Sequence, residues 1–227
     1  MRLFSPLKTR LYIAIPVMLC AFFGMFQATK IGIADIQAYK ARYLLSQWEE
    51  GQRLPTDDEV VRALDSASSA LGWAPNNTEY MDLKAHILTY KGLLYWESLP
   101  FAAVTEEAVA FYLQSTQIRP KWPYAWARLA LLKAHRGEFD GEYQTALLRA
   151  VEYGPWERNV QKTIAEAGLY GWTQLEEASR DALIATIQRG LNVQFKTMAN
   201  IVMRHHRKVF VCAYLARNEK TKTFCGW

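Results

Sequence analysis

Residues able to do chemistry are sparse in this chain, and their spacing assigns most of them to structure. There are four histidines. His205 and His206 are adjacent, so on a helix they point about 100° apart and cannot close on one metal ion. They sit in the basic run Arg204-His205-His206-Arg207-Lys208. That run reads either as a solvated helix end complementing the dipole, or as a candidate patch for lipid phosphates or an anionic polymer. His135 precedes Arg136-Gly137, again a helix end, and His86 stands alone on another predicted helix. The acid pairs Asp57-Asp58, Glu106-Glu107 and Glu176-Glu177 fall in first helical turns. The dipole accounts for them there, without the two facing carboxylates of a glycosidase. The chain has no Gly-x-Gly-x-x-Gly, no Gly-x-Ser-x-Gly, no His-Glu-x-x-His and no phosphate loop. No catalytic residue, cofactor or metal ligand is nominated, and the protein is not expected to be an enzyme.

Cysteines and aromatics remain. Cys212 and Cys225 lie thirteen positions apart, with no Cys-x-x-Cys beside them. In an oxidising compartment they are expected to pair; the alternative is two free thiols, Cys212 packed in a helix face. The aromatics gather in groups, such as Tyr90, Tyr95, Trp96 and Phe101, then Trp122, Tyr124 and Trp126. Most are expected in the core. If any meet a ligand or partner, Trp96, Phe101 and Trp122 are the candidates, being close to loops.

Leu11 to Thr29 are nineteen uncharged residues. As a helix they would span about 28 Å, close to the hydrocarbon thickness of a bilayer. Arg2, Lys8 and Arg10 precede them, so the positive-inside rule places the short N-terminus in the cytoplasm and the rest outside. The rival is a cleaved signal peptide, but Met25 or Phe26 at the −3 position is unfavourable. The net charge of +5 is concentrated at the two ends. The middle is mildly acidic, which argues against nucleic acid as a partner.

The whole chain is 51% hydrophobic, and the part after the span reads as helices in succession. The first span continues outward to Glu50. Thr56 and Glu59 form a capping box for a helix to Leu71. Further helices are expected from Asn76 to Trp96, from Thr105 to a point before Arg119-Pro120, from Tyr124 to Arg136, from Phe139 to Tyr153 and from Trp156 to Tyr170. A second capping box, Thr173 to Glu176, opens one to Arg189 with Gly190 as its stop. The last runs from Leu191 to Lys208, and Val209–Leu215 is ambiguous. No stretch alternates as a strand. The organisation predicted is an anchor over 1–30, a juxtamembrane helix and linker over 31–55, a helical domain over 56–208 and a tail over 209–227.

Pro75, Pro120 and Pro155 stand at helix starts, 45 and 35 residues apart. The segment 120–155 resembles a tetratricopeptide repeat. Trp126, Leu129 and Ala130 match its Trp-x-x-Leu-Gly spacing, with Ala for Gly. Gly137-Glu138-Phe139 matches its turn, Ala146 and Ala150 its small residues, and Pro155 its end. The segment 75–120 fits loosely, and 155–190 keeps only the helix pairing. This implies an all-α, right-handed stack of divergent tetratricopeptide-like helix pairs behind the membrane helix.

A looser resemblance covers most of the chain. It rests on the charged start, the single span, Pro123-Tyr124-Ala125-Trp126, Gly154-Pro155-Trp156-Glu157, the basic last helix and the terminal Cys225-Gly226-Trp227. In these the chain is similar to VpsP-type proteins encoded with bacterial exopolysaccharide machinery. The resemblance implies a single-pass protein of the bacterial inner membrane, its C-terminal domain in the periplasm. Its expected role is a scaffold holding proteins of a polysaccharide synthesis and secretion complex. The alternatives are a carbohydrate-binding factor acting on the nascent chain, or an unrelated periplasmic envelope-assembly repeat protein.

Overall fold

The computed structural model describes residues 6–51, 53–95 and 101–227, and among them every regular element is helical. The first helix, α1 (Pro6–Gly51), runs unbroken for 46 residues, or about 69 Å. Its apolar half is wholly exposed, and by length and composition it is long enough to cross a membrane. Pro16 lies inside it rather than in its opening turn, a placement that membrane helices tolerate.

The outer half of α1 does not behave as a linker. Ala34, Ala38, Ala41, Leu45 and Trp48 are buried at helical spacing and share a core with Val60, Ala63, Ala67 and Ala70 of α2 (Asp57–Trp73). Alanines on both sides let the two backbones approach closely. The packed body therefore begins near residue 34, ahead of the sequence boundary at 55.

Pairs follow. They are α3 (Thr78–Leu94) with α4 (Phe101–Ile118), α5 (Pro123–Arg136) with α6 (Gly141–Tyr153), and α7 (Arg158–Tyr170) with α8 (Glu177–Val193). Then come α9 (Phe195–Arg204), α10 (Lys208–Tyr214) and α11 (Glu219–Cys225). The first helices touch in order: α1 on α3, α3 on α5, α5 on α7, α7 on α9. A ring ladder runs along the C-terminal ends of α5, α7 and α9 and is joined from α4 by Phe101. Phe101, His135, Tyr170 and His205, spaced 34 or 35 residues apart, meet at centroid distances of 6.4, 5.6 and 6.4 Å. Polar contacts join neighbouring helices as well: Tyr124 Oη donates to Glu157 at 2.7 Å, and Gln194 Nε2 donates to the Arg158 carbonyl at 3.0 Å.

Local signals account for several helix ends. The Thr56 capping box forms, Asn77 caps α3 and Asp140 caps α6. Gly137 closes α5 at φ 74°, which a Cβ would disfavour. Other ends differ from expectation. Thr105 is buried inside α4, its hydroxyl donating to the Phe101 carbonyl at 2.7 Å. The Thr173 box does not form: residues 172–174 make a 3-10 turn and α8 starts at Glu177 without a side-chain cap. Gln144 from α6 serves the joint instead, donating to the Gln174 carbonyl at 2.8 Å. Gly190 does not stop α8 but lies within it, where its face meets Met198 of α9 and leaves no room for a side chain. The helix expected over Leu191–Lys208 is broken at Gln194 and again at His205–Arg207, where His206 takes φ 55°. The ambiguous apolar run forms α10. Cys212 and Cys225 are joined by a disulfide linking α10 to α11, with Cα atoms 5.8 Å apart.

Candidate functional site

A groove follows the first helices of the pairs. Three hollows of about 460, 340 and 470 Å³ lie along it. The first two share Tyr124 and Arg128, and the last two share Leu131, Lys162 and Thr163. Polar residues three or four apart put one stripe on each helix. Asp82 and His86 come from α3, Tyr124 and Arg128 from α5, Asn159, Lys162 and Thr163 from α7, and Asn200 and Arg204 from α9. The other stripe of each helix is core, which fixes the polar stripe facing the groove.

The groove holds its polar groups incompletely paired. Asp82 is only 7% exposed, and its Oδ1 has no hydrogen-bond partner. Burial pushes its carboxyl up from 3.8 to about 6, outweighing Ser115, Arg128 and Arg119, which favour the anion. His86 Nδ1 is likewise buried and unbonded, and its Nε2 stands 3.5 Å from Glu49. Burial, with Arg128 nearby, holds this ring well below the ordinary histidine range, so it is neutral at pH 7. Arg128 occupies the junction of the two hollows, and its charge is felt at Asp82, His86, Tyr112 and Tyr124. Among the described residues, no carboxylate lies within 4.0 Å of Arg128 or Lys162, whereas Arg42 is clamped by Asp35 and Glu79. Unpaired groups of both signs in one hollow suit a ligand that brings a carboxylate and a hydrogen-bond donor.

The sequence candidates are distributed differently. Trp122 stands at the mouth of the first hollow, half-exposed, with the Arg119 guanidinium 4.3 Å from its ring centroid and Tyr124 at 5.1 Å. Phe101 packs against the core beside Gly92, whose missing Cβ makes room for its ring. Trp96 lies outside the described residues. Trp126 packs on the core, its indole donating to the Pro120 carbonyl at 2.7 Å.

The basic run is divided. Arg204 and His205 both engage Glu166, the latter at 2.6 Å, while Arg207 lies over Phe210 and Lys208 over Phe224. His206 is exposed at the break after α9. These five residues therefore do not present five free charges. Among the described residues no group of three or more potential metal ligands gathers.

Sequence reasoning missed Asp82, His86, Arg128 and Lys162. The available signal was the polar i, i+4 spacing of Asp82 and His86 on a helix otherwise buried on both sides. Comparison with family models, with curated proteins and with solved structures returns no match.

Proposed function

We propose that this protein is a membrane-anchored scaffold of divergent tetratricopeptide-like helix pairs that docks an extended segment of a partner protein in its groove. The observation that carries this reading is Arg128, without a carboxylate ion-pair partner among the described residues, sharing one hollow with Asp82, one of whose oxygens has no hydrogen-bond partner. A scaffold surface left with unsatisfied polar groups is stabilised when a partner supplies the missing ones. The 35-residue spacing of His135, Tyr170 and His205, at the ends of α5, α7 and α9, supports the repeat assignment. The exposed apolar half of α1 supports single-pass anchoring. The flanking positive charges and the Cys212–Cys225 pair favour an exported, periplasmic body. The VpsP-type resemblance makes exopolysaccharide synthesis or export the setting.

One observation favours a second reading. Trp122, with Tyr124 and charged neighbours, resembles a stacking platform for a sugar ring. Photo-crosslinkers at Arg128 and Leu131, with Thr145 on α6 as control, separate the two. Adducts to one envelope protein at the groove positions alone support the scaffold. A fluorescence shift with oligosaccharide that Trp122→Ala abolishes, without protein adducts, replaces it with the sugar binder.

A further inference from the structure

Helix α1 carries two apolar faces, and the fold covers only one of them. We infer that the other is the seam of a parallel homodimer, its occupant α1 of a second copy of this chain; the inference rests on the anchored reading of α1. In a heptad with a and d at the seam, Ile36 and Tyr43 take a and Tyr39 takes d. These three side chains are 63%, 55% and 65% exposed outside the apolar span. Ala34, Ala41 and Trp48 then take f, and Ala38 and Leu45 take c, the face buried on α2 and α3. Position f points directly away from an a/d seam, so each helical body hangs outward and leaves the seam open.

The register continues into the span. Ile15 and Phe22 fall at a, Met18 and Met25 at d, all exposed. Gly32, at d on the border, has nothing within 4 Å of where a Cβ would stand, so two backbones can close there. Two copies anchored by the same span have the same orientation, which fixes a parallel pair.

Charge complementarity selects a second copy as the occupant. In a parallel dimer position g of one helix meets e of its partner five residues later. Asp35 is at g and Lys40 at e, so the dimer gains an opposite-charge contact on each side. The Asp35 side chain is 59% exposed and already touches Arg42 with one oxygen, and Lys40 is exposed and has no ion pair among the described residues. The next pairing sets Arg42 against the neutral Gln47, so no like charges meet along this stretch.

The test uses the full chain in native membranes, with Cys20→Ala removing the free thiol. Single Ile36→Cys, Tyr39→Cys and Tyr43→Cys variants are oxidised beside Asp65→Cys, an exposed α2 position that reports random collision. Disulfide-linked dimer is expected at 36, 39 and 43 and not at 65. By energy transfer in liposomes, Lys40→Glu weakens association about tenfold, and Asp35→Lys combined with Lys40→Asp restores it. Equal crosslinking at 36, 39, 43 and 65 overturns the dimer, and an unchanged association for Lys40→Glu overturns the register. Alkaline extraction is run in parallel. Release of the chain from the membrane refutes the anchor, whereas retention without seam crosslinks refutes the dimer alone.

Discussion

Replacing Asp82 by Asn should make the protein more stable at neutral pH, an unusual outcome for a buried charged residue. In the folded chain the carboxyl titrates at about 6, against 3.8 when exposed. The folded form therefore binds more protons than the unfolded form between these values, and stability falls as pH rises through that window. Below about 3.8 the penalty is absent; above about 6 it is complete. A difference of roughly two units corresponds to about 3 kcal/mol at pH 7. For a chain of this size that is roughly 6 to 12 °C in Tm. Asp82→Asn removes the ionisation and keeps the shape. Thermal melts of the full chain in one detergent, followed by helix signal at pH 4, 5, 6, 7 and 8, should show the variant ahead at pH 7 and 8. The gap should shrink toward zero at pH 4. On the docking reading proposed above, the same variant should also lose groove adducts. A variant less stable than the parent at pH 7, or a gap independent of pH, would refute the argument that burial dominates at this residue.

Three further changes probe the frame. Gly168→Ala should destabilise by about 1–3 kcal/mol despite the better helix former, since its Cβ would stand 2.7 Å from Leu183 Cδ2 in a fully buried contact; denaturant unfolding checks this. Tyr143→Phe should cost about 1 kcal/mol, because the hydroxyl donates to the Ala167 carbonyl at 2.9 Å across the α6–α7 joint; the midpoint in urea should fall with the slope unchanged. Cys212→Ser with Cys225→Ser should lower stability by about 3 kcal/mol, the entropy of closing so short a loop, and protease should then cut the α10–α11 tail first.

Helix content was legible because the apolar positions keep a helical period and because Thr56, Asn77 and Gly137 act within a few residues of the ends they set. Ends governed from elsewhere were not legible. Thr173 has the spacing of a cap, yet Gln144, some thirty residues earlier, supplies the contacts at that joint. Gly190 resembles a stop, yet α9 crosses it and needs its missing side chain. Trp122 was singled out as an aromatic close to a loop, and it lines the first hollow. Asp82 and Arg128 were not, because the hollow they share is made by α3 and α5, about forty residues apart, and neither has a motif of its own.

By itself, then, the sequence determined what is local and periodic: an apolar rod of membrane-spanning length, helices after it, and a few caps such as Thr56 and Gly137. Hydrophobic period and backbone capping act over at most two turns, so a single stretch of chain contains the whole cause. The tertiary structure alone decided that the rod's outer half is the first packed helix. It also decided that rings 34 or 35 residues apart meet, and that polar stripes on successive helices line one groove. Those outcomes depend on which helix faces which, and that choice is made by the fit of whole buried surfaces against one another.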